Sequence, residues 1–131
     1  MTINEVFLSL ENEAMMMLME SDKENFEVLL EQYCNATVIE RRFSGSGFFT
    51  DYRVSGDMPR VRQKEKGPMR SVFGKINGLE IGVGFLLFLS EGLIDTLECH
   101  EYDSIDFPDV ITGYELSYST SVLEQKQGNS R

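Results

Sequence analysis

Apolar residues recur along this chain with two different periods, and the change falls near residue 36. Between residues 3 and 19, Ile3, Val6, Phe7, Leu10, Ala14, Met17 and Leu18 are spaced by three and four. That spacing predicts an amphipathic helix with one buried stripe. Thr2 with Glu5 fits a capping box, in which the hydroxyl accepts one orphan N–H and the glutamate reaches back to another. Met15, Met16, Met17, Leu18 and Met19 make the end of this helix apolar on every side, which predicts deep burial against a sheet. Ser21 with Glu24 reads as a second capping box. It opens a second helix that carries Phe26, Leu29, Leu30 and Tyr33 on one face and stops at Asn35. One or two residues would join the helices as a hairpin or bent pair.

From Ala36 the pattern alternates, as in strands. Residues 36–43 and 47–54 read as two strands around the turn Ser44-Gly45-Ser46-Gly47. In the second, Phe48, Thr50, Tyr52 and Val54 share one face. Residues 55–69 carry two prolines and no apolar period, which predicts a long exposed loop. Residues 70–76 resume a strand, and Asn77-Gly78 predicts a tight turn. The most apolar stretch follows. Residues 81–89 and 93–100 read as arms of a long hairpin, joined at Ser90-Glu91-Gly92. Gly82 and Gly84 share a face with Glu80, Leu86 and Phe88, so either a helix packs closely over them or the sheet bends around a cavity; close packing is the simpler reading. After an acidic loop at 103–109, residues 112–119 form a last strand. Helices first and strands afterwards predict an α+β fold: two N-terminal helices packed on one face of a mostly antiparallel sheet of about six strands. Residues 1–119 read as one domain and residues 120–131 as a frayed polar tail.

The 131 residues suffice for a real core without a metal or disulfide. Cys34 and Cys99 then read as reduced, buried thiols. The N-terminus lacks the basic start of an export signal, and the longest uncharged run, residues 81–90, is half a membrane span. These features predict a soluble, cytoplasmic protein with no membrane partner and no cofactor.

Charge divides the chain in three. Residues 1–40 carry nine acids and one base (−8), residues 41–75 nine bases and three acids (+6), and residues 76–131 ten acids and two bases (−8), which sum to the net −10. Such a surface repels nucleic acid and favours basic partners. The basic stretch from Arg53 to Arg70 lies near Phe48, Phe49 and Tyr52, but no nucleic-acid motif accompanies it, and it reads as a solvated loop.

The densest chemistry is Glu98-Cys99-His100-Glu101-Tyr102-Asp103, which holds the only histidine. On a strand, Glu98, His100 and Tyr102 share one face with Ile94 and Thr96, while Cys99 and Glu101 share the other. A carboxylate beside an imidazole suits acid–base work, yet the two make only two metal ligands, and Cys99 points away from His100. The cluster reads first as a polar rim, and second as the edge of a ligand or enzymatic pocket between helices and sheet, floored by Gly82 and Gly84 and rimmed by Glu98, His100 and Tyr102. Glu101, Asp103, Asp106 and Asp109 lack the glycine and terminal glutamate of a calcium loop, so no metal is assigned. Gly82-x-Gly84 and Gly45-x-Gly47 open no helix and are not phosphate loops.

Three segments together resemble a family of small uncharacterised bacterial proteins. They are Gly45–Tyr52 (GSGFFTDY), Gly78–Phe88 (GLEIGVGFLLF), and Leu97-Glu98 with Tyr102-Asp103 and Phe107-Pro108-Asp109. The resemblance spans about residues 40–118, implies a bacterial origin and carries over no catalytic residue. By analogy of size and charge, a toxin-neutralising immunity role is one expectation. The leading expectation is therefore a non-enzymatic module that captures a basic protein. Its recognition surface would comprise helix acids such as Glu24, Glu27 and Glu31 together with Glu101, Asp103, Asp106 and Asp109. A homodimer, built through the sheet face or the methionine-rich helix end, is a further expectation.

Overall fold

The computed structural model of the chain describes residues 1–62 and 70–119. Two helices, α1 (Glu5–Glu20) and α2 (Phe26–Cys34), precede six strands: β1 (Thr37–Ser44), β2 (Gly47–Arg53), β3 (Val72–Ile76), β4 (Val83–Ser90), β5 (Leu93–Glu101) and β6 (Tyr114–Tyr118). All pairings are antiparallel, in the order β1-β2-β5-β4-β3-β6. The helices lie on one face, so the fold is α+β. The expected tail at 120–131 and part of the basic loop (63–69) fall outside the described residues.

The core forms where the helical stripe meets alternate strand residues. Phe7, Leu10, Ala14, Met15, Leu18 and Met19 of α1 are buried, and so are Phe48, Tyr52, Val72, Val83, Phe85, Leu87, Leu97 and Cys99 from the sheet. The methionine run divides: Met15 and Met19 are fully buried, Met16 and Met17 partly. Phe48 is central, with its ring 4.9 Å from Phe7, 6.2 Å from Phe107 and 6.4 Å from Phe85. Burying side chains of this size contributes about 2 kcal/mol each, and the aromatic pairs add directional packing.

Several local expectations shift. Asn4, not Thr2, caps α1, accepting the Phe7 N–H at 2.8 Å. Its amide also donates to the Ile111 carbonyl, which ties the helix start to the last loop. Ser21 ends α1 instead of starting α2: its hydroxyl donates to the Leu18 carbonyl, and α2 begins only at Phe26. The connection is thus residues 21–25, longer than expected. Asn35 does follow the last turn of α2. Cys34 is exposed while Cys99 is buried, which corrects one of the two buried thiols.

The hairpin β4–β5 is the centre of the sheet. Its tip is Glu91-Gly92, both with positive φ (51° and 79°), the conformation of a two-residue turn that matches strand twist. Gln32 of α2 locks that tip. Its amide nitrogen donates to the carbonyls of Pro59 (2.7 Å) and Gly92 (2.9 Å), and its oxygen accepts the Ile94 N–H (2.8 Å). A buried amide satisfied on both ends is a strong positional clamp. The tight turn expected at Asn77-Gly78 forms, with the Leu79 N–H donating to the Ile76 carbonyl at 3.0 Å, but β4 begins only at Val83, so residues 79–82 lengthen the connection.

Candidate functional site

The strand register fixes which side of the sheet each candidate residue occupies. Phe48 pairs with Cys99 and Cys99 with Phe85, all beneath the helices. Side chains alternate along a strand, so Glu98, His100, Gly84, Leu86 and Phe88 stand on the opposite, open face. Glu98 and His100 therefore cannot rim a pocket between helices and sheet: they look the other way, and Phe48, Phe85, Leu97 and Cys99 fill the layer beneath the helices. Cys99 and His100 point to opposite faces, as expected. Ile94 leaves the predicted set. A bulge at Asp95, where the register steps from Phe88↔Thr96 to Leu89↔Ile94, turns Ile94 to the helix face. There it is buried at 2 % exposure.

No helix packs over Gly82 and Gly84. Tyr102 covers Gly84 instead: a Cβ at this position would lie 2.1 Å from the tyrosine oxygen. Gly82 has φ +134°, and a Cβ there would lie 2.5 Å from the Gly74 carbonyl oxygen, so the residue is required by the bend before β4. On the open face Tyr102 stacks on Phe73 (6.3 Å between centroids, 6° between planes) and meets His100 edge-on at 5.0 Å. His100 Nδ1 is buried without a protein partner. Among the described residues no hydrogen bond joins Glu98 to His100, and no three His, Cys, Asp or Glu side chains converge in metal-binding geometry. The arrangement is an aromatic lid on a glycine, without a paired acid and base.

The acids after β5 are mostly drawn into the fold. Asp103 accepts the consecutive backbone N–H groups of Glu80 (2.9 Å), Ile81 (3.0 Å) and Gly82 (3.0 Å). Three N–H groups converging on a carboxylate make a backbone anion nest, and Asp103 fills it. Those bonds, the one from Gly82 foremost, hold its pKa below the usual aspartate value. Glu101 is half-buried, and one of its oxygens has no protein partner. Desolvation, with Asp103 and Asp106 nearby, raises its pKa. Asp106 and Asp109 are the exposed members of the four. Asp109 lies 3.3 Å from the Met1 amino group, which offsets its charge.

The helix acids are disposed differently. Glu20, Glu24, Glu27 and Glu31 are all exposed. An open depression of about 660 Å³ at the α1–α2 corner is lined by Glu20, Ser21, Asp22, Lys23, Glu24, Arg70 and Tyr118. Arg70 lies over the Tyr118 ring at 4.4 Å. In the sequence this corner reads only as a helix cap, Ser21 with Glu24, and as one of the helix acids, Glu24. Its wall from Arg70 and Tyr118 comes from β3 and β6 folding beside it. Gln32 anchors α2 to the start of β5 and the 101–109 loop leaves the other end of that strand, eight strand steps or roughly 26 Å along it.

Phe48 and Tyr52 are buried beneath the helices, so they offer no base-stacking platform beside the basic loop. Nor did any sequence pattern announce the polar knot inside the sandwich. Glu11, on α1, accepts both guanidinium contacts of Arg41 (2.7 and 2.9 Å) and the hydroxyl of Thr50 (2.5 Å). Two other depressions, of about 380 Å³ at Lys75–Leu79 with Tyr114 and Glu115 and about 240 Å³ beside the β4–β5 tip, contain none of the predicted pocket residues. No helix among the described residues is long and apolar enough to cross a membrane. Comparison with protein-family models, curated proteins and solved structures found no match.

Proposed function

We propose that this chain is a non-enzymatic, cytoplasmic binding module that captures a basic protein on the acidic side of its helical layer, in the manner of a toxin-neutralising immunity protein. The observation that carries the reading is the α1–α2 corner. Glu20, Asp22 and Glu24 line an open depression there together with Lys23 and Arg70, and the exposed Glu27 and Glu31 carry the acidic charge on along α2. A partner's lysine or arginine would pair with Glu27 and Glu31 beside the depression, and the acids of the corner would steer its approach. Asp103 and Asp109 are engaged within the chain, so the 101–109 loop contributes chiefly Asp106 at its own, separate end.

The test begins with the product of a neighbouring gene that encodes a basic protein, purified and titrated against this chain by calorimetry. Affinity is expected to fall by about tenfold or more between low and high salt, and further on the double substitution Glu27→Lys with Glu31→Lys. A complex insensitive to both salt and the double substitution would remove this mechanism.

A further inference from the structure

The two edges of the sheet are unequal. β6 is five residues long, and its Tyr118 hydroxyl donates to the Met17 carbonyl of α1. β1 is eight residues long, is interrupted by a bulge at Ile39 and runs regularly from Glu40 to Ser44, and its residues are exposed except for the half-buried Arg41. Val38 (37 %), Ile39 (55 %) and Phe43 (37 %) stand among its exposed apolar residues. Among the described residues, no strand pairs with β1 on the side away from β2. A long edge with apolar side chains is a template for another strand.

The charges on that edge point to one occupant. β1 holds one acid, Glu40, and two bases, Arg41 and Arg42, a net +1 in a chain of net −10. It is therefore a place where two copies approach with little repulsion. We propose that β1 pairs with β1 of a second copy, antiparallel about a two-fold axis at Arg41. This register sets Glu40 opposite Arg42 of the other copy, twice, on the open face, and the regular ladder stops at the bulge that leaves Ile39 without a partner in β2. Moving the axis by one residue in either direction opposes Glu40 to Glu40 or Arg42 to Arg42 and forms no Glu40–Arg42 pair, whereas the central register opposes only the two Arg41 side chains and forms two such pairs. The two Arg41 side chains at the axis are each already held by their own Glu11. Arg42 is seated for the contact by Asp51 (2.8 and 2.9 Å) and by the Phe49 ring beneath it at 4.6 Å. The product is one continuous sheet of both copies with all helices on the same side, which satisfies the two-fold rule for like subunits.

Sedimentation of the full chain across a concentration series should show a monomer–dimer equilibrium. Glu40→Arg and Arg42→Glu alone should each weaken the dimer by about tenfold or more, since each opposes like charges. The double substitution should restore it, because the exchanged charges again face their opposites across the axis. A monomer at every concentration overturns the proposal. So does a dimer indifferent to the single substitutions, or a double variant that melts like the wild type and stays monomeric. Amide exchange of the wild type gives a reading free of folding defects. Protection of residues 39–43 should rise with protein concentration; protection independent of concentration would assign this edge to a segment of the same chain and exclude the dimer.

Discussion

The carboxylates around the sheet and those on α2 look alike in sequence but sit in opposite settings. Glu11, Asp51 and Asp103 each face donors supplied by distant parts of the chain: Arg41 with Thr50, Arg42 with Thr96, and the backbone of residues 80–82. Glu27 and Glu31 face solvent. The first group holds the fold together, and the second is available to a partner. Net charge alone therefore overstates how much of this acidic chain can bind anything.

The largest break in that contrast should come from Glu11→Ala. It strips Arg41 and Thr50 of their acceptor in an enclosed site, and should cost about 3 kcal/mol of stability in urea unfolding. A loss below about 1 kcal/mol would show that Arg41 finds water readily. Asp103→Ala comes next. It leaves three N–H groups aimed at an empty nest, and should lower the melting temperature by several degrees without affecting capture of a basic partner. Its pH dependence has a definite direction. The folded pKa lies below the ordinary 3.8, so its contribution is present above that value and lost as pH falls through the folded pKa. Glu27→Lys with Glu31→Lys should leave stability within about 0.5 kcal/mol while weakening the partner complex, which separates the two groups of acids most directly.

The smallest effect should be Glu101→Gln. Glu101 has a raised pKa, so the folded chain holds this proton more tightly than the unfolded chain does. Stability should therefore fall slightly as pH rises from the ordinary 4.5 through the folded value. The glutamine variant should lose that slope and match or exceed the wild type near neutral pH. Thermal melts of both proteins across this range measure it. A steeper slope in the variant would mean that the Glu101 charge is stabilised in the fold.

Much of the scaffold could be read from the chain. Helical spacing marked Phe7, Leu10, Ala14 and Leu18 as core, and period-two alternation placed Phe48, Thr50 and Tyr52 on one face, because both patterns follow from local backbone geometry. The candidate site was less legible. The Asp95 bulge is a pairing property of two strands, so no reading of β5 by itself could have turned Ile94 inward. Tyr102 over Gly84 replaced the expected helix because the glycine lies on the face away from α1 and α2.

The two helices, the alternating strands, the central hairpin with its Glu91-Gly92 tip and the overall acidity were all written in the order of residues, since each depends on neighbours in the chain. Which acids are engaged and which remain outward was settled by the assembled fold. The donors for Glu11 and Asp103 lie 30 and 21 or more residues away and converge only once the sheet has formed. A carboxylate's role depends on what stands within hydrogen-bond reach, and reach between distant segments is a property of the packed layers.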